Sequence, residues 1–190
     1  MRLKNLPLAF GLSLAALLPL SMPVQSETIT ECDRLATDPM DRARVADGVS
    51  YQTLMSDEAM AACNKATILN EDNPRLAYQF GRLLLLHKNK KQGLKQVIRA
   101  AENGYLAAQL LLTSGYSSGN FFKGDAKQAY YWAEKAATQG SKYAQASAAT
   151  WLVEGTGTEK KIDQGLARLE DYSKAGNAYA SFSLAEISRQ

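Results

Sequence analysis

The chain has little of the chemistry that most enzymes need. Its 190 residues include one histidine, His87, and two cysteines, Cys32 and Cys63, with no CxxC spacing. A nucleophile needs a base beside it, so any Ser-His or Cys-His pair would have to use His87. That residue follows Leu83–Leu86 at an expected helix end and stands next to Lys88, which is a surface setting. One histidine and two distant cysteines leave no four-ligand zinc set. Neighbouring carboxylates occur at Asp57-Glu58, Glu71-Asp72 and Glu170-Asp171. Adjacent helical positions diverge by about 100°, so these do not converge as acid–base pairs. Gly155-Thr156-Gly157 lacks the strand and the lysine of a phosphate-cradling loop. No catalytic residue, metal or cofactor is expected.

Long hydrophobic runs are missing too, except at the start. Met1-Arg2-Leu3-Lys4 is a short basic stretch, and Leu6 to Leu20 is apolar apart from small residues and prolines. Val24-Gln25-Ser26 then offers short side chains ahead of a cut between Ser26 and Glu27. This reads as a signal peptide over residues 1–26, too short and too proline-interrupted for a membrane span. No transmembrane segment is expected, and with no cysteine near the cut, no lipid anchor. The expected mature chain, Glu27–Gln190, is long enough for one continuous core and is periplasmic or secreted. In an oxidising compartment Cys32 and Cys63 are expected to pair. The disulfide would close a loop of about 30 residues, worth about 3–4 kcal/mol. Two independent buried thiols are the alternative.

Charge of one sign is not in excess. The formal balance is +3, and removal of Arg2 and Lys4 with the leader brings it to +1. With export, this disfavours nucleic acid as a partner. The local distribution is less even. Arg75, Arg82, Lys88, Lys90, Lys91, Lys95 and Arg99 occur with no acid among them, so the rest of the mature chain carries −6. Such a stretch either steers an acidic partner or an anionic head group, or is a solvated face.

What the chain does have is a repeat. In Lys123–Gly140, Asp125 suits a helix N-cap, Ala129, Trp132, Ala133, Ala136 and Ala137 share one helical face, and Gly140 suits the left-handed stop. A step of 36 residues back from Gln128, Ala129, Tyr130, Ala136, Ala137 and Gly140 lands on Gln92, Gly93, Leu94, Ala100, Ala101 and Gly104. The same step forward lands on Gln164, Gly165, Leu166, Tyr172, Ser173 and Gly176. Self-similarity at this period marks a helical solenoid. The expected fold class is all-α, an α-solenoid of stacked antiparallel helix pairs. First helices begin near Leu76, Ala108, Ala144 and Ala180, and second helices cover about Lys90–Asn103, Asp125–Gln139 and Ile162–Ala175. The expected units are about 75–104, 105–140 and 141–176, closed by a capping helix in 177–190, within a repeat domain over 56–190. Residues 27–55 read as an irregular cap: a helical turn around Cys32–Ala36, then an ordered loop. Ser56-Asp57-Glu58 opens a helix with the stripe Ala59, Met60, Cys63, Ala66 and Thr67, and Pro74 suits the first turn of the next. The disulfide would pin the cap onto that first helix.

With these residues in view, the chain resembles a Sel1-like repeat protein, a relative of the tetratricopeptide repeat family. The central unit carries Ala108, Leu112, Tyr116, Gly119, Asp125, Ala129, Trp132, Lys135-Ala136-Ala137 and Gly140 at the places of the family pattern. The third unit departs from it, with Lys161 for the Asp, Gly165 for the Ala, Arg168 for the Trp and Tyr172-Ser173 for the Ala-Ala pair. The first departs at Asn89 and Gln96. The resemblance covers about Ser56 to the C-terminus. It implies a right-handed superhelix, a scaffold or adaptor role and no catalytic residues.

The functional expectation is a non-enzymatic, monomeric adaptor or regulator in the periplasm that docks another protein on its curved helical surface. The resemblance also admits an immunity protein that neutralises a periplasm-acting toxin, and a hydrolase has the weakest support. In solenoids of helix pairs one row of helices lines a concave surface. First-helix residues expected there are Tyr78 and Arg82, Gln109 and Thr113, and Tyr143 and Ser147, with Lys90 and Lys91 as rim charges. Tyr143 and Tyr179, one repeat apart, stand just before the leading alanines, where a core role is not required. Tyrosine is favoured on recognition surfaces.

Overall fold

The helices start where the sequence supplies caps. The side chains of Thr30, Ser50, Ser56, Asn73, Asn89, Asp125, Ser141 and Asn177 each accept a hydrogen bond from a backbone N–H of the helix they precede. A computed structural model describes residues 28–189, and the expected signal peptide lies outside the described residues. Among the described residues ten helices follow: α1 Glu31–Ala36, α2 Tyr51–Leu54, α3 Asp57–Leu69, α4 Pro74–Leu86, α5 Lys90–Glu102, α6 Leu106–Ser118, α7 Ala126–Thr138, α8 Lys142–Glu154, α9 Ile162–Lys174 and α10 Ala178–Ile187. No strand occurs among the described residues, and the expected all-helical solenoid is the architecture found. None of the described helices is long and apolar enough to cross a membrane.

Three antiparallel pairs, α4/α5, α6/α7 and α8/α9, pack in series, and α10 lies against α8 and α9. The first helices start at Pro74, Leu106, Lys142 and Ala178, so the first step is shorter than the two equal steps that follow. Apolar stripes of each pair face the next and bury Leu76, Leu83, Val97, Leu112, Trp132, Ala144, Leu152 and Leu169. Two pairs close tightly on glycine. A Cβ on Gly93 would stand 2.9 Å from the backbone nitrogen of Leu85, and one on Gly165 2.8 Å from the carbonyl oxygen of Ala149. Any side chain there would force the helices apart.

The second helices share one ending. After α5, α7 and α9, the N–H of Gly104, Gly140 and Gly176 donates to the carbonyl of the penultimate helix residue, and the next residue's N–H reaches one residue further back. This is the Schellman arrangement, and it requires the left-handed backbone found at all three glycines. The α9 start differs. Lys161 stands at its cap position and makes no side-chain cap bond.

The N-terminal segment does more than its sequence indicates. Besides α1 it contains α2, one turn capped by Ser50, where the sequence predicts only a loop. Cys32 and Cys63 form a disulfide, fully buried, that ties α1 to α3. Helix α1 packs on both α3 and α4, so it takes the place of a first helix in an incomplete leading pair. A backbone bond from Val49 N–H to the Thr37 carbonyl, 3.2 Å, closes the loop between α1 and α2.

Candidate partner-binding surface

That loop decides which first-helix residues are open. Asp33 at the middle of α1 meets Arg75 in a buried ion pair and accepts from Gln79 Nε2 at 3.0 Å. Asp38 accepts from the Tyr78 hydroxyl at 2.6 Å and pairs with Arg82 Nε at 3.4 Å. Asp41 accepts from the hydroxyl of Tyr105, the residue just before α6. The three aspartates thus lay residues 33–41 across α4 toward the start of α6. Burial first of all pushes the Tyr78 phenol well above its ordinary pKa; Arg82 works against this, and Asp38 and Asp41 reinforce it.

Tyr78 and Arg82 are therefore contacts of the chain with itself. Tyr78 is 4% exposed, and Arg82 is half-buried, stacks 5.6 Å from the Tyr78 ring and donates to the Ala36 carbonyl. Gln109 and Thr113 are internal as well, at 3% and 0% exposure. Gln109 Nε2 donates to the Ala101 carbonyl at 3.0 Å, its Oε1 accepts from Gln139 Nε2 at 2.8 Å, and Thr113 Oγ1 donates to the Gln109 carbonyl. This corrects the expectation that all six first-helix residues share one face. Register explains it: the position that matches Tyr143 is Ala107 on α6 and Arg75 on α4. Thr113 instead corresponds to Gly81 and Ala149, both buried.

Tyr143 and Ser147 stand one turn apart on α8, Tyr143 at 41% exposure and Ser147 half-buried. The Tyr143 ring meets that of Tyr179, itself 56% exposed, edge to face at 5.9 Å. Two consecutive units thus present one continuous aromatic ridge. The one-repeat spacing of the two tyrosines was the signal for it. Phe182 is exposed beside it for a different reason, since it occupies the place where Leu110 and Ala146 are covered by a following unit.

On the second helices, Lys90 and Lys91 are exposed at the start of α5. The expected basic stretch is smaller than its seven charges suggest, because Arg75 and Arg82 are neutralised by Asp33 and Asp38. Farther along the row, Arg168 takes the place of Trp132 and grips Glu134 of α7 with two bonds of 2.7 and 3.3 Å. Burial works against its charge, but Glu134 and the Tyr172 hydroxyl hold its pKa above the usual guanidinium value. This bidentate pair replaces the aromatic anchor between the second and third units.

His87 caps the end of α4 with Nε2 shielded from solvent, and neither cysteine is available to it. Among the described residues no group of His, Cys, Asp and Glu is placed to hold a metal ion.

No family model matches the chain, and no curated protein does. Solved structures do. A Sel1 repeat protein from Oxalobacter formigenes superimposes with a TM-score of 0.57 at 27% identity, over 68% of this chain and 38% of that one. The protein c5321, a protective antigen of uropathogenic Escherichia coli strains with an SLR fold, does so with a TM-score of 0.52 at 22% identity, over 62% of this chain and 26% of its own. The second likeness is one of fold. The chain spans well under half the length of either protein.

Proposed function

We propose that this chain, a helical solenoid of the Sel1-repeat fold, is an extracytoplasmic adaptor that docks a partner protein on its row of first helices. The Sel1-like repeat fold is generally a protein–protein interaction module. The observation that carries the reading here is the Tyr143–Tyr179 ridge. Two large rings from successive units stand open, where a buried core would have taken them in, and tyrosine supplies rigid contact area with a polar tip. Ser147 beside them adds a hydroxyl. The buried disulfide and the apolar leader sequence support an oxidising destination.

The partner is a folded or extended protein surface. The test places a photo-crosslinking residue at Tyr143, and separately at Lys65 on α3 as a control, in envelope preparations. A discrete adduct from position 143 alone is expected. With the captured partner purified, Tyr143→Ala should speed dissociation about tenfold while the association rate stays close to that of the parent. Equal labelling at both positions, or an unchanged dissociation rate, would remove the ridge from the interface.

A further inference from the structure

Lys88, Lys90, Lys91, Lys95 and Arg99 make no ion pair among the described residues. Arg75 and Arg82, the other cations of this stretch, are answered by Asp33 and Asp38. Four of these five cations, Lys90, Lys91, Lys95 and Arg99, stand on one helix, α5. Lys91, Lys95 and Arg99 follow at steps of four and rise along one face, and Leu94 and Ile98 lie half-buried between them. These five line a groove of about 560 Å³, and among the described residues Glu102 at its far end is its one carboxylate. Like charges four apart on a helix repel, so the row is unfavourable to the isolated chain.

We propose that the α5 groove docks an acidic amphipathic segment of a partner protein, with apolar side chains on Leu94 and Ile98 and carboxylates on Lys91, Lys95 and Arg99. Charge complementarity selects this occupant, and the chain already practises the recognition on itself. The aspartates at 33, 38 and 41 of one short segment seek out Arg75, Arg82, Tyr78 and Tyr105. An anionic bilayer is the poorer occupant. Surface-seeking helices expose aromatic and long aliphatic side chains beneath their lysines. Leu94 and Ile98 are instead partly covered by the chain's own core, and the exposed Tyr143 and Tyr179 belong to the first helices. The groove deepens the adaptor reading, on which it rests, by adding a second contact with a defined chemistry.

The experiment uses the chain with its disulfide intact and three probes: a fluorescent peptide with leucines flanked by glutamates, its lysine-for-glutamate counterpart, and phosphatidylglycerol vesicles. The acidic peptide should bind and weaken about tenfold on going from low to high salt, and the basic one should not bind. Lys91→Glu with Lys95→Glu should weaken binding about tenfold or more, and the milder Lys91→Gln with Lys95→Gln by less. Ile98→Ser should weaken it about threefold, by removing an apolar contact. Tyr143→Ala should leave it unchanged. Equal binding of both peptides, binding indifferent to the double substitution, or capture of vesicles without capture of the peptide would overturn the proposal. If the peptide fails while a partner still crosslinks at position 143, the groove is refuted and the ridge stands.

Discussion

Arg75 of α4 and Asp33 of α1 form an ion pair at 2% and 0% exposure. The carboxylate also accepts from Thr30 N–H at 2.7 Å, Thr30 Oγ1 at 2.8 Å and Gln79 Nε2 at 3.0 Å, so nearly all its lone pairs are used. A buried pair is stabilising only with such support, and removing one partner strands the other. Asp33→Ala should therefore cost about 3–5 kcal/mol in urea unfolding. Asp33→Leu combined with Arg75→Met should cost less than Asp33→Ala alone, since no charge is left buried. If the double variant is the worse of the two, the pair contributes more than the cost of desolvating it.

The neighbouring contact gives a pH dependence. The Tyr78 phenol has its pKa raised above the ordinary 10.0, by burial first, with Arg82 opposing and Asp38 and Asp41 reinforcing. The folded state thus holds this proton more tightly than the unfolded chain. Its stabilisation is complete below the unfolded value near pH 10 and is lost as pH rises from there through the folded value. The urea midpoint of the parent should fall more steeply than that of Tyr78→Phe above about pH 10. Parallel curves would mean that the hydroxyl titrates alike in both states.

The disulfide bears on location as well as stability. Cys32 and Cys63 are 31 positions apart, and closing a loop of that size should contribute about 3–4 kcal/mol, which reduction removes. Chain recovered from the periplasm should begin at Glu27 and be lighter than the dithiol by two hydrogens. Free thiols in that preparation would contradict the pairing of Cys32 with Cys63.

Much of the fold was legible because its determinants are local. The caps and the glycine stops act within one or two turns of helix, and the repeat period restates them from unit to unit. The surface was less so. Tyr78 meets Asp38 and Tyr105 meets Asp41 across long stretches of chain, and neither pairing leaves a periodic trace. The short first step, from Pro74 to Leu106, also shifts the register of α4 against its successors. Across it Tyr78 corresponds to Leu110 and Ala146, where an unbroken step would have matched it to Ser114 and Thr150; in neither register does it correspond to Tyr143. Where the period held, from α8 to α10, the Tyr143–Tyr179 pair could be read directly.

Lys88 breaks the helix-ending rule that its neighbours obey. The N–H of Lys88 donates to the Leu85 carbonyl at 3.1 Å and that of Asn89 to the Leu84 carbonyl at 2.8 Å, the same arrangement that ends α5, α7 and α9. Those three use glycine, whereas Lys88 holds a positive φ with a side chain. The left-handed region costs a non-glycine residue about 1–2 kcal/mol, part of which glycine's larger unfolded-state entropy offsets. Lys88→Gly should stabilise by about 0.5–1 kcal/mol, and Lys88→Val should destabilise. The pair of thermal melts checks both signs.

Trp132 tests how the central unit is anchored. Its indole is 4% exposed among Val97, Ala100, Ala101, Ala108 and Leu112, so it fills the space where α5, α6 and α7 meet. The equivalent positions hold Gln96 and Arg168, neither of which fills a core in this way. Trp132→Ala should cost about 3–5 kcal/mol, because the small alanines and valine around it have little reach to close the cavity. Trp132→Phe is the sharper experiment. The indole Nε1 is buried with no hydrogen-bond partner among the described residues, so the substitution sacrifices no bond and removes an unsatisfied donor. Its cost should come only from lost volume, well below that of alanine. If Phe proved as damaging as Ala, the nitrogen would have to be bonded, and the packing assigned to this ring would be wrong.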